Sequence, residues 1–316
     1  MRNRFFLGLF AALFGVSAWA GAVRIKGPDS PLGGEAIVPD GARNVVVIVP
    51  GSGPTDRDGN SPKGLKTDAY KKVAEGLAAA GVASVRIDKR GMFRSASPDI
   101  DPNKVTVAGL GDDIRAWVGA ASRKVGIDCA WVLGHSEGGL MALVAAQDRD
   151  APICGLILIA SPGRRLGTIL REQLKANPAN ASILDGALAA IDALERGEQP
   201  DFGITDFTLK RLFPKSVQAY IMDLFAQDPA GLIAAVERPI LIVQGTMDIQ
   251  ITEEDAAVLG AAQPAAKLAI LDGMTHTLKV VKTSDRAVNA ATYSDPSLPL
   301  HPALMPAIVS FIQAQE

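Results

Sequence analysis

Short apolar runs recur along the chain and alternate with stretches of helical periodicity. The runs are rich in β-branched residues, as is typical of strands that are buried on both faces of a sheet. They are Val45–Val49, Ala83–Ile87, Ala130–Leu133, Leu156–Ala160, Ile240–Val243 and Leu268–Leu271. Strands that alternate with helices predict an α/β fold in which a mostly parallel sheet is flanked by helices.

Helical patterns fill most of the intervals between these runs. In one interval Leu110, Ile114 and Trp117 share a face, and Gly126 follows at a position where glycine commonly ends a helix. The predicted helices are Thr67–Ala80, Leu110–Lys124, Gly139–Gln147 and a closing helix over Pro302–Gln315. Ahead of the first buried strand, a predicted antiparallel hairpin comprises Ala22–Lys26 and Glu35–Val38.

Two intervals break the alternation. Residues 163–236 hold several helical stretches and no strand pattern, and they are too long for an ordinary connection. We interpret them as a helical cap inserted between two strands. A separate small domain is the alternative, which the return of the same strand pattern afterwards disfavours. Residues 277–300, rich in Ser, Asp, Asn and Pro, predict a long ordered surface loop.

The N-terminus has the pattern of a secretory signal peptide. Arg2 and Arg4 precede an apolar run over Phe5–Val16, and a small-x-small cleavage site ends at Ala20. An uncleaved membrane anchor is the alternative, but the run is shorter than the roughly 20 residues that a spanning helix needs. We therefore expect cleavage after Ala20, export to the periplasm or the medium, and a mature domain over residues 21–316 without membrane insertion.

Composition and charge narrow the classes of partner. Hydrophobic residues make up 48% of the chain and charged residues 21%, which is ordinary for a globular protein with a sizeable core. The formal net charge of −2 gives no electrostatic reason to expect nucleic acid or an anionic membrane as a partner.

The chain has two cysteines, Cys129 and Cys154, and an exported protein meets an oxidising compartment. Each cysteine stands at the start of an apolar run, at the same distance from its end. The two would therefore face each other if the two strands were parallel neighbours. The alternative is a pair of buried free thiols, and the directions of the Cβ atoms decide between the two.

The clearest chemical motif is Gly134-His135-Ser136-Glu137-Gly138, which lies between a predicted strand and a predicted helix. A serine hydroxyl is a weak nucleophile unless a base takes its proton and a rigid turn presents it. The Gly-x-Ser-x-Gly elbow presents its serine in a tight strand-to-helix turn, and this strand and helix are the context that the motif requires. Ser136 is therefore the candidate nucleophile.

The base for this serine must come from three histidines. His135 is adjacent to the nucleophile, so we expect its side chain to point to the other side of the turn. His301 lies near the start of the closing helix. His276 follows the run Leu268–Leu271, in a loop at the edge of the sheet where the elbow opens. His276 is therefore the candidate base, with a purely structural histidine as the alternative.

An acid must hold the tautomer of the base and stabilise its imidazolium form. Asp248 follows the run Ile240–Val243 on a short turn, and the order Ser136, Asp248, His276 is the one expected for this type of elbow. Other acidic residues near these loops are Glu253, Asp255 and Asp272. Each of these, and Asp248 too, could instead be a solvated or capping carboxylate.

Two backbone N–H groups must also converge on the developing oxyanion. Glu137, the residue after the nucleophile, supplies one of them through its backbone. The second should come from the glycine-rich turn at residues 50–54, where Pro54 has no N–H to offer. Ser52 is the first candidate and Gly53 the second. An ordinary tight glycine turn is the alternative.

These motifs resemble those of the α/β-hydrolase superfamily, and within it the branch of serine esterases and serine aminopeptidase-like hydrolases with a helical cap. The resemblance covers nearly the whole predicted mature chain and is weakest in the cap. It is carried by Gly51–Asp58, Asp88–Gly91, Gly134–Gly138, Gly245–Asp248 and Met274–His276. It implies the triad and oxyanion assignments given above, with Asp88 and Arg90 supporting a loop near the site.

Two residues depart from the pattern of the family. Pro50 stands where a histidine often precedes the oxyanion glycine, and Phe93 stands where a small residue usually follows Asp-x-Arg-Gly-x. Both substitutions could reshape the pocket while leaving the chemistry in place.

The sequence thus predicts a serine hydrolase that cleaves carboxylic esters of a small-molecule substrate through an acyl-enzyme intermediate, without a metal or organic cofactor. Serine aminopeptidase and acyl-thioesterase are alternatives. An aminopeptidase would need an acidic patch for the α-amine, and we expect the cap carboxylates Glu195, Glu198 and Asp201 to be surface charges. A catalytically idle hydrolase fold that binds a ligand is the non-enzyme alternative, disfavoured because every triad element is present in order.

Overall fold

The computed structural model describes residues 18–203, 206–283 and 285–316. The predicted signal peptide lies outside these residues as far as position 17. Its last three residues, Ala18 to Ala20, are the first residues of the first strand. Cleavage after Ala20 would therefore begin the mature chain inside that strand.

Eight strands form one sheet within the described residues. They are β1 (Ala18–Lys26), β2 (Pro31–Pro39), β3 (Val45–Val49), β4 (Ala83–Ile87), β5 (Ala130–His135), β6 (Ile153–Ile159), β7 (Ile240–Gly245) and β8 (Lys267–Leu271). The order across the sheet is β1-β2-β4-β3-β5-β6-β7-β8. The β1–β2 and β2–β4 pairs are antiparallel, and all the other pairs are parallel. The predicted α/β class with a mostly parallel sheet is therefore confirmed.

The N-terminal hairpin is longer than the sequence predicts. Gly33 and Gly34 lie inside β2 and pair with Arg24 and Val23 of β1. Glycine is disfavoured in strands and marks places where another backbone approaches closely. A Cβ atom on Gly33 would collide with the backbone of Arg94, so the glycine is required by packing that strand periodicity does not reveal.

Helices cover both faces of the sheet. In the described residues they are α1 (Ala69–Ala79), α2 (Val107–Val125), α3 (Glu137–Ala145), α4 (Leu166–Ala176), α5 (Leu184–Glu195), α6 (Phe207–Leu212), α7 (Gln218–Ala226), α8 (Pro229–Ala234), α9 (Glu253–Ala262), α10 (Arg286–Ala291) and α11 (Leu304–Gln313). Successive strand residues point to opposite faces. Val46 and Ile48 pack with α1 and α11, whereas Val47 and Val49 pack with α2 and α3.

The described chain between β6 and β7 comprises the helices α4 to α8 and the loops that join them, and it contains no strand. Apolar side chains of this insertion, among them Ile191, Leu194 and Phe213, are buried in the same core as α2 and α3. The long surface loop predicted over residues 277–300 contains the short helix α10, which its Ser- and Asp-rich composition did not indicate.

A disulfide joins Cys129 to Cys154, with their Cα atoms 5.2 Å apart. Cys129 directly precedes β5 and Cys154 lies in β6, its parallel neighbour. The register of the two strands shifts beside Cys154, since Ala130 pairs with Ile153 and Trp131 with Gly155. Of the two alternatives for the cysteines, the structure has the bridge, at the end of the sheet opposite the elbow.

Replacing both cysteines by serine should lower the free energy of unfolding by about 3 kcal/mol, because the bridge closes a loop of 25 residues in the unfolded chain. Urea denaturation under oxidising conditions measures this difference. The native chain treated with a thiol reductant is the matched control and should unfold at the midpoint of the variant. A variant as stable as the oxidised chain would show that the bridge adds nothing.

Candidate active site

Ser136 lies in a sharp turn between β5 and α3, with φ of 55° and ψ of −127°. Its N–H donates to the Ile159 carbonyl at 2.9 Å, and its carbonyl accepts from the N–H of Gly139 at 2.8 Å. The turn is crowded, since a Cβ atom on Gly138 would collide with the Val49 carbonyl. The glycines of the motif thus allow the chain to reverse directly above the ends of the central strands.

His276 and Asp248 form a hydrogen-bonded pair. The His276 Nδ1 atom lies 2.8 Å from Asp248 Oδ2, and both side chains are buried. The other carboxylate oxygen of Asp248 accepts from the backbone N–H groups of Gln250 at 2.7 Å and Ile251 at 3.0 Å. The carboxylate can only accept, so His276 carries a proton on Nδ1 and its Nε2 atom remains to act as a base.

Ser136 and His276 line the same cavity, which has a volume of about 110 Å³. Within the described chain no hydrogen bond joins Ser136 Oγ to His276 Nε2; such bonds commonly tighten only when substrate binds. The other residues of its wall are Gly51, Ser52, Thr55, Gly59, Leu65, Thr67, Ala69, Tyr70, His135, Gln250, Thr277 and Tyr293. The wall holds no charged side chain, and none of its described residues belongs to the insertion at residues 163–236.

His135 does not point away from the site, contrary to the expectation from the sequence. Its ring lies 4.7 Å from that of His276, between centroids. The expectation assumed that neighbouring residues alternate sides as in a strand, and the positive φ of Ser136 breaks that alternation. Both ring nitrogens of His135 are nevertheless engaged, since Nε2 lies 2.8 Å from the His276 carbonyl and Nδ1 2.8 Å from the Tyr70 hydroxyl.

This arrangement fixes the protonation of His135. A carbonyl can only accept, so Nε2 carries the proton and Nδ1 accepts from Tyr70. Burial lowers the pKa of His135 to about 3, with a further contribution from the neighbouring His276. The Tyr70 hydroxyl in turn accepts from the Gly51 N–H at 3.1 Å. A single chain of hydrogen bonds therefore links the glycine-rich turn, the elbow and the His276 loop.

His301 and Asp272 have structural partners, and Glu253 is exposed. The ring of His301 donates through Nε2 to the Asp272 carbonyl at 3.0 Å and accepts at Nδ1 from the Ala303 N–H at 3.2 Å. The Asp272 carboxylate accepts from the Thr246 hydroxyl. Glu253 is an exposed residue of the first turn of α9. None of these groups lines the cavity.

Asp255 is fully buried and holds the start of the insertion. It is the third residue of α9 and caps that helix together with Thr252. Its carboxylate also accepts from the backbone N–H groups of Gly163 and Arg164 and pairs with the Arg164 guanidinium at 3.0 Å. This carboxylate therefore joins the start of the insertion to α9, and its oxygens are engaged in these structural bonds.

The candidate oxyanion donors lie on both sides of Ser136. Glu137 begins α3, and Ser52 lines the cavity. In the described chain the backbone N–H groups of Ser52, Gly53 and Glu137 have no acceptor, which leaves them free for a ligand. The Gly51 N–H is not free, because it is donated to Tyr70.

Asp88 and Arg90 support loops beside the cavity. The Asp88 carboxylate accepts from the backbone N–H and the guanidinium of Arg57, both at 2.9 Å. Arg90 makes two bonds to the buried Asp113, at 2.6 and 2.8 Å. Phe93, one of the two departures from the family pattern, has a φ of 47° and lies outside the cavity wall, as does Pro50.

Tyr70 and Lys89 belong to the site although sequence reasoning did not single them out. The Lys89 Nζ donates to the Gly51 carbonyl at 2.7 Å, and it is buried. A buried lysine directly after a strand end would have been a signal, but burial was not evident within the run Asp88-Lys89-Arg90. Tyr70 occupies an apolar position of α1, where an aromatic residue normally signifies packing.

The described part of the chain offers neither a cluster of metal ligands nor a helix suited to crossing a membrane. No group of three or more His, Cys, Asp or Glu side chains there is arranged to hold a metal ion. None of its helices combines the length and apolarity that crossing a membrane requires.

The sheet order and the elbow are those of the α/β-hydrolase fold, and comparison with known proteins agrees on the fold. A family model described as serine aminopeptidase, S33, matches residues 64–179. The sheet also superposes on solved structures. A proline iminopeptidase of Mycobacterium smegmatis has a TM-score of 0.62 at 14% identity, over 93% of this chain and 98% of that one. Est1E of Butyrivibrio proteoclasticus has a TM-score of 0.56 at 17% identity, over 93% and 98%.

One similar protein is esterase EstD of Thermotoga maritima, which is 28% identical over 256 residues. The match covers 78% of this chain and 58% of EstD, so the chain spans little more than half the length of that relative. The chain therefore has the α/β-hydrolase fold, and over residues 64–179 it is similar to the serine aminopeptidase, S33, family.

The buried neutral His135 should make the protein acid-sensitive. In the unfolded chain His135 takes up a proton near pH 6.5, whereas in the folded chain it does so only near pH 3. The stability that its neutral form supports is therefore present above about pH 6.5 and is lost as the pH falls, by at most about 1.4 kcal/mol per pH unit. Urea denaturation between pH 6.5 and 4.5 should give a shallower slope for His135→Gln than for the native chain.

The matched control for this measurement is His301→Gln, which removes a histidine whose ring also has two partners but lies outside the cavity. Carboxylates titrate in all three proteins and cancel in the comparison. Equal slopes for the native chain and His135→Gln would contradict the assignment of His135 as a neutral buried group.

Proposed function

We propose that this protein is a serine hydrolase that cleaves carboxylic esters, with Ser136 as nucleophile, His276 as base and Asp248 as the acid behind it. The observation that carries the proposal is the meeting of three elements at one uncharged cavity. Ser136 lies on a strained elbow, His276 lines the same cavity, and the Asp248 carboxylate holds the base from behind.

In the proposed reaction, Ser136 Oγ attacks the ester carbonyl carbon while His276 Nε2 accepts its proton. The carbonyl oxygen becomes an oxyanion that accepts from the backbone N–H groups of Ser52 and Glu137. Collapse breaks the bond to the alcohol, which leaves with the proton from His276. Water then attacks the acyl-enzyme by the same route in reverse, and releases the acid and free Ser136.

The lack of acidic side chains in the described cavity wall favours esters over aminoacyl substrates. A serine aminopeptidase needs a carboxylate to hold the α-amine, and none of the described residues that line the cavity is acidic. The candidate carboxylates of the insertion are engaged elsewhere or exposed, since Glu195 pairs with Arg171 and Glu198 with Arg196. Asp201 is exposed.

Aminopeptidase activity nevertheless stays the second candidate, because the matching family model and the proline iminopeptidase neighbour favour it. Acyl-thioesters would pass through the same tetrahedral intermediate and form a third. A ligand-binding protein without catalysis is disfavoured by the strained φ of Ser136, since strain of this kind is usually retained at sites where it serves a function.

The size of the cavity favours short acyl groups. An apolar cavity of roughly 150 Å³ is filled by a benzene ring. At about 110 Å³ the cavity beside Ser136 accommodates an acyl group of a few carbon atoms. Larger parts of a substrate would have to extend towards solvent.

A fluorophosphonate probe tests the nucleophile without knowledge of the substrate. Mass spectrometry should locate the adduct on Ser136, and labelling should be abolished in Ser136→Ala and fall at least about 100-fold in His276→Ala, because the base activates the hydroxyl. Ser310→Ala, which alters an exposed serine of α11 outside the cavity wall, is the control and should label as the native protein does. Labelling that persists in Ser136→Ala would end the proposal.

A substrate panel then separates the candidate activities. We expect p-nitrophenyl acetate and butyrate to be cleaved faster than the dodecanoate, and all three faster than aminoacyl p-nitroanilides or acyl-thioesters. A preference for the anilides would move the aminopeptidase to first place.

The pair Asp248→Asn and Asp255→Asn tests the acid. Asp248→Asn should lower kcat by several orders of magnitude in a stable protein, and Asp255→Asn should mainly lower stability.

We also propose that the protein is exported, with cleavage after Ala20. The Cys129–Cys154 bridge supports this location, because disulfides persist in oxidising compartments and are rare in the cytosol. The positive and then apolar N-terminal pattern supports it independently.

Expression of the full chain in a bacterium with a periplasm tests the export. The protein should be recovered outside the cytoplasm with Gly21 as its first residue and its cysteines oxidised, as read by intact-mass spectrometry. A chain that lacks residues 1–20 is the control and should stay in the cytoplasm. Recovery of membrane-bound protein that still begins at Met1 would favour the anchor instead.

A further inference from the structure

Lys89 is a buried cation at the carboxyl end of the sheet, two residues beyond β4. Its Nζ donates to the Gly51 carbonyl at 2.7 Å and lies 3.9 Å from the Glu137 carboxylate. Lys89 does not line the cavity, so it does not contact the substrate in the proposed reaction. Its partners, however, belong to the two segments that supply the candidate oxyanion donors.

The bond from Lys89 determines the orientation of one donor. The Gly51 carbonyl and the Ser52 N–H belong to the same peptide unit, which is planar and trans, so the two groups point in opposite directions. With the carbonyl held towards buried Lys89, the Ser52 N–H points away from it, on the side where Ser52 lines the cavity. Rotation of this peptide would turn the N–H away from the oxyanion.

The preceding peptide is held as well. The Gly51 N–H donates to the Tyr70 hydroxyl at 3.1 Å, so Gly51 is fixed through both its N–H and its carbonyl. The turn that carries Ser52 has two glycines and is exposed at Ser52 and Gly53. Glycine allows many backbone conformations, and such a turn therefore depends on external contacts for a single orientation.

Glu137 connects Lys89 to the other donor. Its backbone N–H is the second candidate donor, while its side chain is buried beside Lys89. The same carboxylate oxygen accepts from the hydroxyl of Tyr220 on α7 at 2.8 Å. The ion pair thus spans the two sides of the proposed oxyanion hole, and the helical insertion contacts it from outside.

Burial of a lysine is costly and must be offset by its partners. Burial lowers the pKa of Lys89, and the Glu137 carboxylate opposes that change. An apolar residue would fill the same space without this cost. The hydrogen bond to the Gly51 carbonyl therefore explains why a cation lies at this position, since an apolar side chain could not make that bond.

We propose that Lys89 is a positioning residue, which holds the Gly51–Ser52 peptide with its N–H towards the oxyanion and is itself held by Glu137. The inference rests on the proposed function, because an oxyanion forms only if Ser136 attacks a carbonyl group. It deepens that function by naming the residue that orients one of the two donors.

The test compares Lys89→Met with the native enzyme on p-nitrophenyl acetate. Complete loss of one oxyanion donor typically lowers kcat about 100- to 1,000-fold. A misdirected donor should cost about 10- to 100-fold in kcat and leave KM within about threefold, because the substrate carbonyl needs the donor less than the transition state does. Lys175→Met, the same change at an exposed lysine of α4, should leave both constants as they are.

A pair of inhibitors distinguishes positioning from general loss of structure. A short alkyl trifluoromethyl ketone adds Ser136 and becomes an oxyanion, whereas the matching methyl ketone binds without adding. In Lys89→Met the trifluoromethyl ketone should weaken by the same factor as kcat/KM, with the methyl ketone unchanged. Lys89→Arg, which keeps a cationic donor, should recover part of the loss. Equal weakening of both ketones, or unchanged kcat, would overturn the inference.

Two further variants keep the outcome interpretable. If Lys89→Met does not fold, Glu137→Gln can replace it, because this change leaves the lysine in place without its carboxylate partner. We expect a several-fold lower kcat with little change in KM. A change in KM alone would contradict the inference. Ser136→Ala should bind both ketones equally weakly. If the native protein itself does not distinguish the two ketones, the proposed function fails, and the role of Lys89 fails with it.

Discussion

The turn at Ser136 places a side chain where the backbone would normally accept only glycine. A non-glycine residue at positive φ costs on the order of 1–3 kcal/mol, and it persists only where its surroundings leave no alternative. Here the surroundings are the sheet and α3. Ser136 bonds through its N–H to the Ile159 carbonyl of β6. Gly134 and Gly138 let strand and helix backbones approach more closely than any side chain would allow.

The position of Ser136 sets the requirements for everything around it. In the proposed reaction, a base, its acid and two N–H donors must reach the same few ångströms from different segments, and the side chains of the base and the acid are buried. Buried polar groups without partners are expensive, and the side chains of Asp248, His276 and His135 all have partners that fix their directions. Asp248 accepts from two backbone N–H groups and from His276, and His135 uses both ring nitrogens. The hydrogen bonds that satisfy these buried side chains are therefore the same bonds that fix the geometry of the site.

Much of this arrangement was predictable from the sequence, for a physical reason. Strands buried on both faces read as continuous apolar runs, and parallel strands bring their carboxyl ends to one edge. Residues that directly follow such runs, as Ser136, Asp248 and His276 do, therefore converge even though they are far apart in the chain. The pairing of Cys129 with Cys154 followed from the same parallel geometry, once the two strands were neighbours.

The rest was not predictable, because it depends on side-chain directions that periodicity does not encode. The predicted orientation of His135 was wrong, because the alternation of side chains along the strand ends at the neighbouring strained residue, Ser136. Tyr70 and Lys89 reach the glycine-rich turn across 19 and 38 positions of sequence. Their residue types are ordinary in a helix and in a charged turn, so only the folded chain shows that both are buried against Gly51.

The helical insertion lies beside the site and contributes none of its described wall. That wall comes from the glycine-rich loop and the start of α1, the elbow, and the loops after β7 and β8. Under the proposed function, side chains of this wall such as Leu65 and Tyr293 would select the acyl group. The insertion contacts residues of the site from outside, since Tyr220 donates to the Glu137 carboxylate and Gln173 of α4 donates to the carbonyl of Gln250 in the wall. If Lys89 positions the Gly51–Ser52 peptide as proposed, a shift of α7 would act on that peptide through Glu137 and Lys89, whereas α4 contacts the wall directly through Gln250.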